Sequence, residues 1–187
     1  LMKKTLNSVL FASLSIAAVF TSAAAPFTLT SSDFTSGHPM PPAMGGNLPH
    51  LKSCHGQNIS PPLSWENPPA ATQSFALIIQ DAEGNNGLGT THLLAYGIPA
   101  TQHQFLRTAL ANGQGFTGGK NSFGKLAYNG PCPPVNGDTH TYTFTLIATS
   151  LPADALPEGL TQTELLQKLE GHALGAAGMT GLFSAKK

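Results

Sequence analysis

The chain has 187 residues, with 9 Lys and Arg against 9 Asp and Glu, so its formal net charge is zero and only 10% of it is charged. That balance excludes a nucleic-acid surface, which needs clustered Lys and Arg to neutralise phosphates, and no basic amphipathic stretch marks a membrane-surface helix. With 20 glycines, 15 prolines and few charges, the composition fits a loop-rich β protein rather than a helical bundle.

Lys3 and Lys4, the apolar run Val9 to Phe20 and the small residues Ser22 to Ala25 read as a secretory signal peptide, residues 1–24, with Ala25 as the alternative cleavage position. The run is shorter than the roughly 20 residues a membrane span requires. The expected mature domain is therefore 25–187, exported to a periplasmic or extracellular space, with no integral membrane segment. No repeat or linker divides it.

Ser36 to His55 is irregular, interrupted by Pro39, Pro41, Pro42 and Pro49. His38, Met40, Met44, His50, Cys54 and His55 are ligand types that suit copper or zinc, but their spacing matches no closed zinc pattern, and no metal site is assigned. Cys54 and Cys132 in an exported chain are expected to form a disulfide, two buried free thiols being the alternative. Trp65, approached through Pro61 and Pro62, is a candidate core anchor.

Phe75 to Ile79 reads as a buried strand and Thr91 to Ile98 as another, with His92, Leu94, Tyr96 and Ile98 on one face. Glu83 to Gly89 between them reads as a flexible turn, and Pro99 to Tyr128 as loop with short irregular pieces. Gly113 to Gly118 matches the glycine spacing of dinucleotide folds but lacks the flanking strand and helix, so no cofactor is assigned.

Asn129-Gly130-Pro131-Cys132-Pro133-Pro134 must form a stiff loop, since three prolines preclude helix or central strand. The alternation from His140 then predicts a strand with His140, Tyr142, Phe144 and Leu146 on one face. Thr161 to Glu164 has the form of a capping box, opening a helix with Leu165, Leu166 and Leu169 on one side. Gly171 ends that helix, and a second short helix is expected from His172.

Asp81 ends one expected strand, His92 begins the next and His140 with Tyr142 begins a third, so one sheet edge can collect a carboxylate, two imidazoles and a phenol. Such a set can hold an anion or act as acid and base. No glycine elbow surrounds a serine, so no nucleophile accompanies it.

Cys54-His55-Gly56-Gln57-Asn58-Ile59-Ser60-Pro61-Pro62-Leu63-Ser64-Trp65, Asp81-Ala82, His92, Gly130 to Pro134, His140-Thr141-Tyr142, Gly171 to Leu174 and Met179-Thr180-Gly181 together resemble the phosphatidylethanolamine-binding proteins, in their bacterial Raf-kinase-inhibitor-like (YbhB/YbcL type) branch. The resemblance runs in order through the whole expected mature chain. It implies a mainly β fold, with a large antiparallel Greek-key sheet, a smaller sheet and one or two short C-terminal helices. It also implies a shallow pocket for a small anionic or phospholipid-headgroup ligand, placing Asp81, His92, Gly130, Pro131, Cys132, Pro133, His140 and Tyr142 at it.

Against the usual Asp-Pro-Asp-Ala-Pro stands Ile79-Gln80-Asp81-Ala82-Glu83, which reads as loss of the first carboxylate at Ile79 and of both prolines. Thr90, Thr91 and Leu93 stand where aromatics are usual beside His92, and Phe183 where a Tyr is common. The expected pocket has one carboxylate fewer, a thinner aromatic wall and no phenolic donor at Phe183. The implied function is a non-enzymatic binding protein that can regulate a protein partner. The alternatives are a protease inhibitor acting through a surface loop and, behind it, a hydrolase-like enzyme or a metal-binding protein.

Overall fold

A computed structural model describes residues 23–185. The segment read as a signal peptide lies outside the described residues except for its last two positions. Strands β1 (Thr28–Thr30), β2 (His38–Pro39), β3 (Leu63–Glu66), β4 (Ser74–Asp81), β5 (Thr90–Pro99), β6 (Gln104–Phe105), β7 (Thr117–Gly118), β8 (His140–Thr149) and β9 (Ala173–Phe183) form two sheets. The smaller has the order β1-β3-β6 and the larger β2-β9-β8-β4-β5-β7. All pairings are antiparallel except the short parallel pair of β2 with β9. After the β4–β5 hairpin the chain wanders through loops before β8 returns to the far side of β4, the long-return logic of a Greek key.

Strand β4 is covered on both faces, which is why its sequence is a continuous apolar run rather than an alternation. Phe75, Leu77 and Ile79 join Phe144 and Leu146 of β8 and meet Leu29 and Trp65 of the small sheet. Trp65 is the anchor its sequence context promised, packed edge-on against Phe75. On the opposite face, Ala76 and Ile78 with Leu94 and Tyr96 pack against Leu165 and Leu169 of the helix Gln162–Leu169. That helix begins as expected: Thr161 Oγ1 accepts from the Glu164 amide at 3.3 Å, and Glu164 Oε2 accepts from the Thr161 amide at 2.8 Å.

Two expectations fail, each for a traceable reason. There is no second helix at His172; residues 173–183 form β9, paired with β8 from His140↔Phe183 to Thr149↔Ala173. Gly171, with φ +77°, turns the chain out of the helix, and Gly175, Gly178 and Gly181 make the following segment a poor helix former but a good partner for close strand packing. The alternation in β5 also breaks. Phe75 pairs with Ile98 but Leu77 with Ala95, so β5 carries an extra residue near Gly97, where φ is +61°. Leu94 and Tyr96 therefore face the helix while Ile98 joins the core between the sheets.

Cys54 and Cys132 are disulfide-bonded across a separation of 78 residues. We expect the native protein to resist thiol alkylation, and Cys54→Ser to cost about 4 kcal/mol in denaturant unfolding if chain entropy governs the effect. Two thiols reactive in the folded state would contradict the bridge.

Candidate functional site

The site is built where β4 ends and β8 begins, because register places Asp81 directly across from Tyr142. Asp81 Oδ2 accepts a hydrogen bond from His140 Nδ1 at 2.7 Å. Asp81 Oδ1 accepts from the amides of Glu83 and Gly84 at 2.9 and 3.0 Å, so one carboxylate closes the turn and orients an imidazole. The turn is tight rather than flexible: Asn85 and Asn86 take left-handed backbone, with φ of 51° and 57°, a conformation asparagine tolerates. Glu83 Oε2 accepts from the Thr141 amide at 2.6 Å, tying the turn to the start of β8.

His92 reaches the same place by a second bulge. Ile79 pairs with Leu93 and Gln80 with Thr91, which leaves His92 without a partner on β4. The extra residue carries the imidazole to the face of β5 that holds the inter-sheet core, while Thr91 turns to the other face and bonds Gln162. His92 Nδ1 donates to the Asn129 carbonyl at 2.7 Å. The ring stands edge-on to Tyr142, with centroids 5.1 Å apart, and packs on Phe123 at 5.4 Å. Burial pushes the His92 pKa below the ordinary imidazole value, outweighing the Asn129 carbonyl and the Asp81 charge, which pull it up. At neutral pH its Nε2 is therefore a lone pair rather than a donor. Burial, aided by the Asp81 charge, pushes the Tyr142 phenol up, so it stays protonated. Among the described residues its hydroxyl has no hydrogen-bond partner.

The proline loop is held from behind by the Met44–Asn58 segment. Asn58 Oδ1 accepts from the Gly130 amide at 2.8 Å, the Gly46 amide donates to the Pro131 carbonyl at 2.8 Å, and Ser53 Oγ donates to the Cys132 carbonyl at 3.3 Å. A Cβ on Gly130 would collide with the Met44 carbonyl, so only glycine permits this approach.

These elements enclose an open cavity of about 440 Å³ lined by Asp81, His92, His140 and Tyr142, with Cys132, Pro133 and Pro134 on one side and Thr90, Ser122 and Phe123 on another. Four side chains expected from sequence thus converge. Gly130 and Pro131 are buried behind the cavity rather than lining it, so they support the wall without forming it. Ile79 is a core residue and offers no carboxylate, as expected from the sequence, while the exposed Glu83 brings a carboxylate to within 4.8 Å of Asp81 and His140 ligand atoms without lining the cavity. Thr91 bonds Gln162 on the helix side and Leu93 lies in the core, while Thr90 lines the cavity where an aromatic is usual. Phe123, which the sequence reading missed, supplies an aromatic there. Its loop is fixed by Asn121, whose side chain bonds the His92 and Ala127 carbonyls and the Phe123 and Lys125 amides.

Phe183 packs edge-on near Tyr142, at 6.5 Å, and lines a separate, largely apolar cavity of about 490 Å³ with Met40, Pro42 and Leu182. Met40 and Met44 belong to the core and Cys54 to the disulfide, so the soft-ligand run of the irregular segment is consumed structurally.

The sequence model of the family described as phosphatidylethanolamine-binding protein matches residues 30–184. The chain is 32% identical over 149 residues to the Escherichia coli UPF0098 protein YbhB, covering 75% of this chain and 94% of that protein. It is 36% identical over 165 residues to a Mycobacterium tuberculosis protein, LppC, whose name marks it as a candidate lipoprotein; the match covers 86% of this chain and 74% of that one. The crystal structure of Escherichia coli YbcL superposes with a TM-score of 0.78 at 26% identity, covering 87% of this chain and 100% of that chain.

The buried, neutral state of His92 has a consequence for stability. Its pKa is lower folded than unfolded, so as pH falls below about 6.5 the unfolded chain takes up the proton first and stability declines, levelling off only below the folded pKa. Melting temperature should fall between pH 7.5 and 5.5, and the slope should flatten in His92→Gln. An unchanged slope in that variant would refute this origin.

Proposed function

The chain belongs to the phosphatidylethanolamine-binding protein family, and we propose that it is a non-enzymatic, exported binding protein whose cavity takes a small phosphate-bearing ligand of the headgroup type. The observation that carries this reading is the pair of imidazoles anchored through Nδ1. His92 is held by a carbonyl and His140 by a carboxylate, so each keeps Nε2 as the nitrogen available to a ligand, beside the unpartnered Tyr142 hydroxyl. A phosphate oxygen can accept from the Tyr142 hydroxyl, and a hydroxyl of the ligand can donate to an imidazole Nε2. Ser122 lines the cavity but its hydroxyl accepts from the Thr91 amide, with no base bonded to it among the described residues, and Cys132 is disulfide-bonded, which favours binding over turnover.

Glu83 refines the ligand. The cavity lining, among the described residues, includes Asp81 but no Lys or Arg, and Glu83 adds a carboxylate beside it, within 4.8 Å of Asp81 and His140 ligand atoms. A zwitterion such as phosphoethanolamine, with its ammonium toward Glu83, meets that arrangement better than inorganic phosphate. An envelope location is supported by the signal-like residues 1–24 and by the lipoprotein name of the mycobacterial relative.

Titration followed by NMR tests the reading. Phosphoethanolamine should bind more tightly than inorganic phosphate, with shifts at His92, Cys132, His140 and Tyr142. Affinity should rise as pH falls below about 6.5 and His92 begins to charge. His140→Ala should weaken binding about tenfold, the scale of one hydrogen bond. Shifts clustered elsewhere, or indifferent to His140→Ala, would remove the cavity as the binding site.

A further inference from the structure

Three potential metal ligands, of which the sequence groups only Asp81 and His140, lie together beside the cavity. Asp81, Glu83 and His140 each offer an atom within 4.8 Å of the others, from the end of β4, the following turn and the start of β8. Two are buried and fixed by strand pairing; Glu83 is exposed and adjustable. Glu83 Oε2 is engaged by the Thr141 amide, which aims the side chain at the cluster and leaves Oε1 unengaged among the described residues.

A second observation is independent of this cluster. Tyr142 is 1% exposed, lines the same cavity, and stands across the strand pair from Asp81, yet its hydroxyl has no partner among the described residues. Leaving a buried hydroxyl unpaired costs on the order of 1–3 kcal/mol, so an oxygen delivered by a ligand is expected there. A water or anion carried by a cation at Asp81, Glu83 and His140 would supply one.

We propose that Asp81, Glu83 and His140 form a site for one divalent first-row transition metal ion, with an open coordination position facing the Tyr142 hydroxyl. One imidazole nitrogen with two carboxylate oxygens is a mixed donor set of the kind Zn²⁺ accepts, and three protein ligands leave a position for water or an anion. Asp81 Oδ2 and His140 Nδ1, now 2.7 Å apart, need only a small separation to share an ion. The ion replaces the Nδ1 proton, which passes to solvent, and Asp81 Oδ1 keeps its two amide hydrogen bonds as the orienting support. Asp81 in the lining and Glu83 beside it, with no Lys or Arg among the lining residues, supply the attraction. The inference does not depend on the headgroup reading, because it concerns the metal alone.

Calorimetry with Zn²⁺ as the only added ligand, on chelator-treated protein with its disulfide intact, decides it. One ion per chain should bind. Glu83→Gln, a change at an exposed side chain, should weaken binding at least about tenfold, while the paired replacement of the loop histidines His50 and His55 by Ala should leave it intact. NMR of the histidine rings should show His140 as the ring most perturbed. Tyr142→Phe should retain the ion, with its melting temperature confirming the fold. The proposal is overturned by absence of stoichiometric binding, by binding that survives Glu83→Gln, or by binding lost with His50 and His55. Zinc binding without phosphoethanolamine binding, or the reverse, separates the two readings.

Discussion

The backbone of Met44–Gly46 passes so close to Gly130 that no side chain fits between them, and the proline loop depends on that contact. The approach is secured by Asn58, whose side chain accepts from the Gly130 amide and donates to the Tyr128 carbonyl, and by the Gly46 amide on the Pro131 carbonyl. Tyr128 adds a buried hydroxyl donated to the Met44 carbonyl at 2.9 Å. The disulfide closes the same seam covalently. Two segments with almost no regular structure thereby become a rigid wall, because prolines restrict their backbones and glycines let them touch. His92 depends on this wall, since the Asn129 carbonyl that receives its Nδ1 proton belongs to it.

The sheet supplies the other half of the site through departures from regularity. In an unbroken β5, His92 would follow Leu94 and Tyr96 toward the helix; the bulge opposite Gln80 moves it to the cavity. On β8, across β4 from β5, no bulge is needed, because the alternation of β8 already puts His140 and Tyr142 on the inner face. One imidazole is thus placed by periodicity and the other by its local failure. Their partners differ accordingly: a carboxylate for His140 and a neutral carbonyl for His92, which leaves His92 with burial as its dominant influence.

Much of this was legible in the sequence where local chemistry dictates it. Alternation in β8, the apolar run of β4 and the capping box at Thr161 are signals a few residues long, and the structure follows them. The errors came where long-range pairing decides. Residues 173–183 carry no strong strand pattern, being rich in glycine and alanine, and become a strand because β8 needs a partner along its length. The bulges at Gly97 and His92 are invisible to a two-residue period. The place of Glu83 has the same source: Ile79 and Asp81 share a face of β4, but only the turn after Asp81 folds Glu83 back to Thr141. Phe123 escaped notice because the Asn121 clasp that holds its loop cannot be inferred from spacing.

The protonation state of His92 also shapes what the cavity can discriminate. With Nδ1–H committed to Asn129, a neutral ring offers only an acceptor at Nε2, while Tyr142 offers a donor. A ligand that brings one acidic hydrogen and one acceptor oxygen meets both without any change in the protein. For the proposed ligand class, a phosphate monoester near or below its second pKa of about 6 has that combination, whereas a diester lacks the hydrogen and would need His92 to charge. Because burial disfavours the charged ring, the diester carries an added cost that the protonated monoester avoids. If the cavity takes a phosphate ligand as proposed, the same burial that weakens the histidine as a cation would make it a reader of the ligand's own proton.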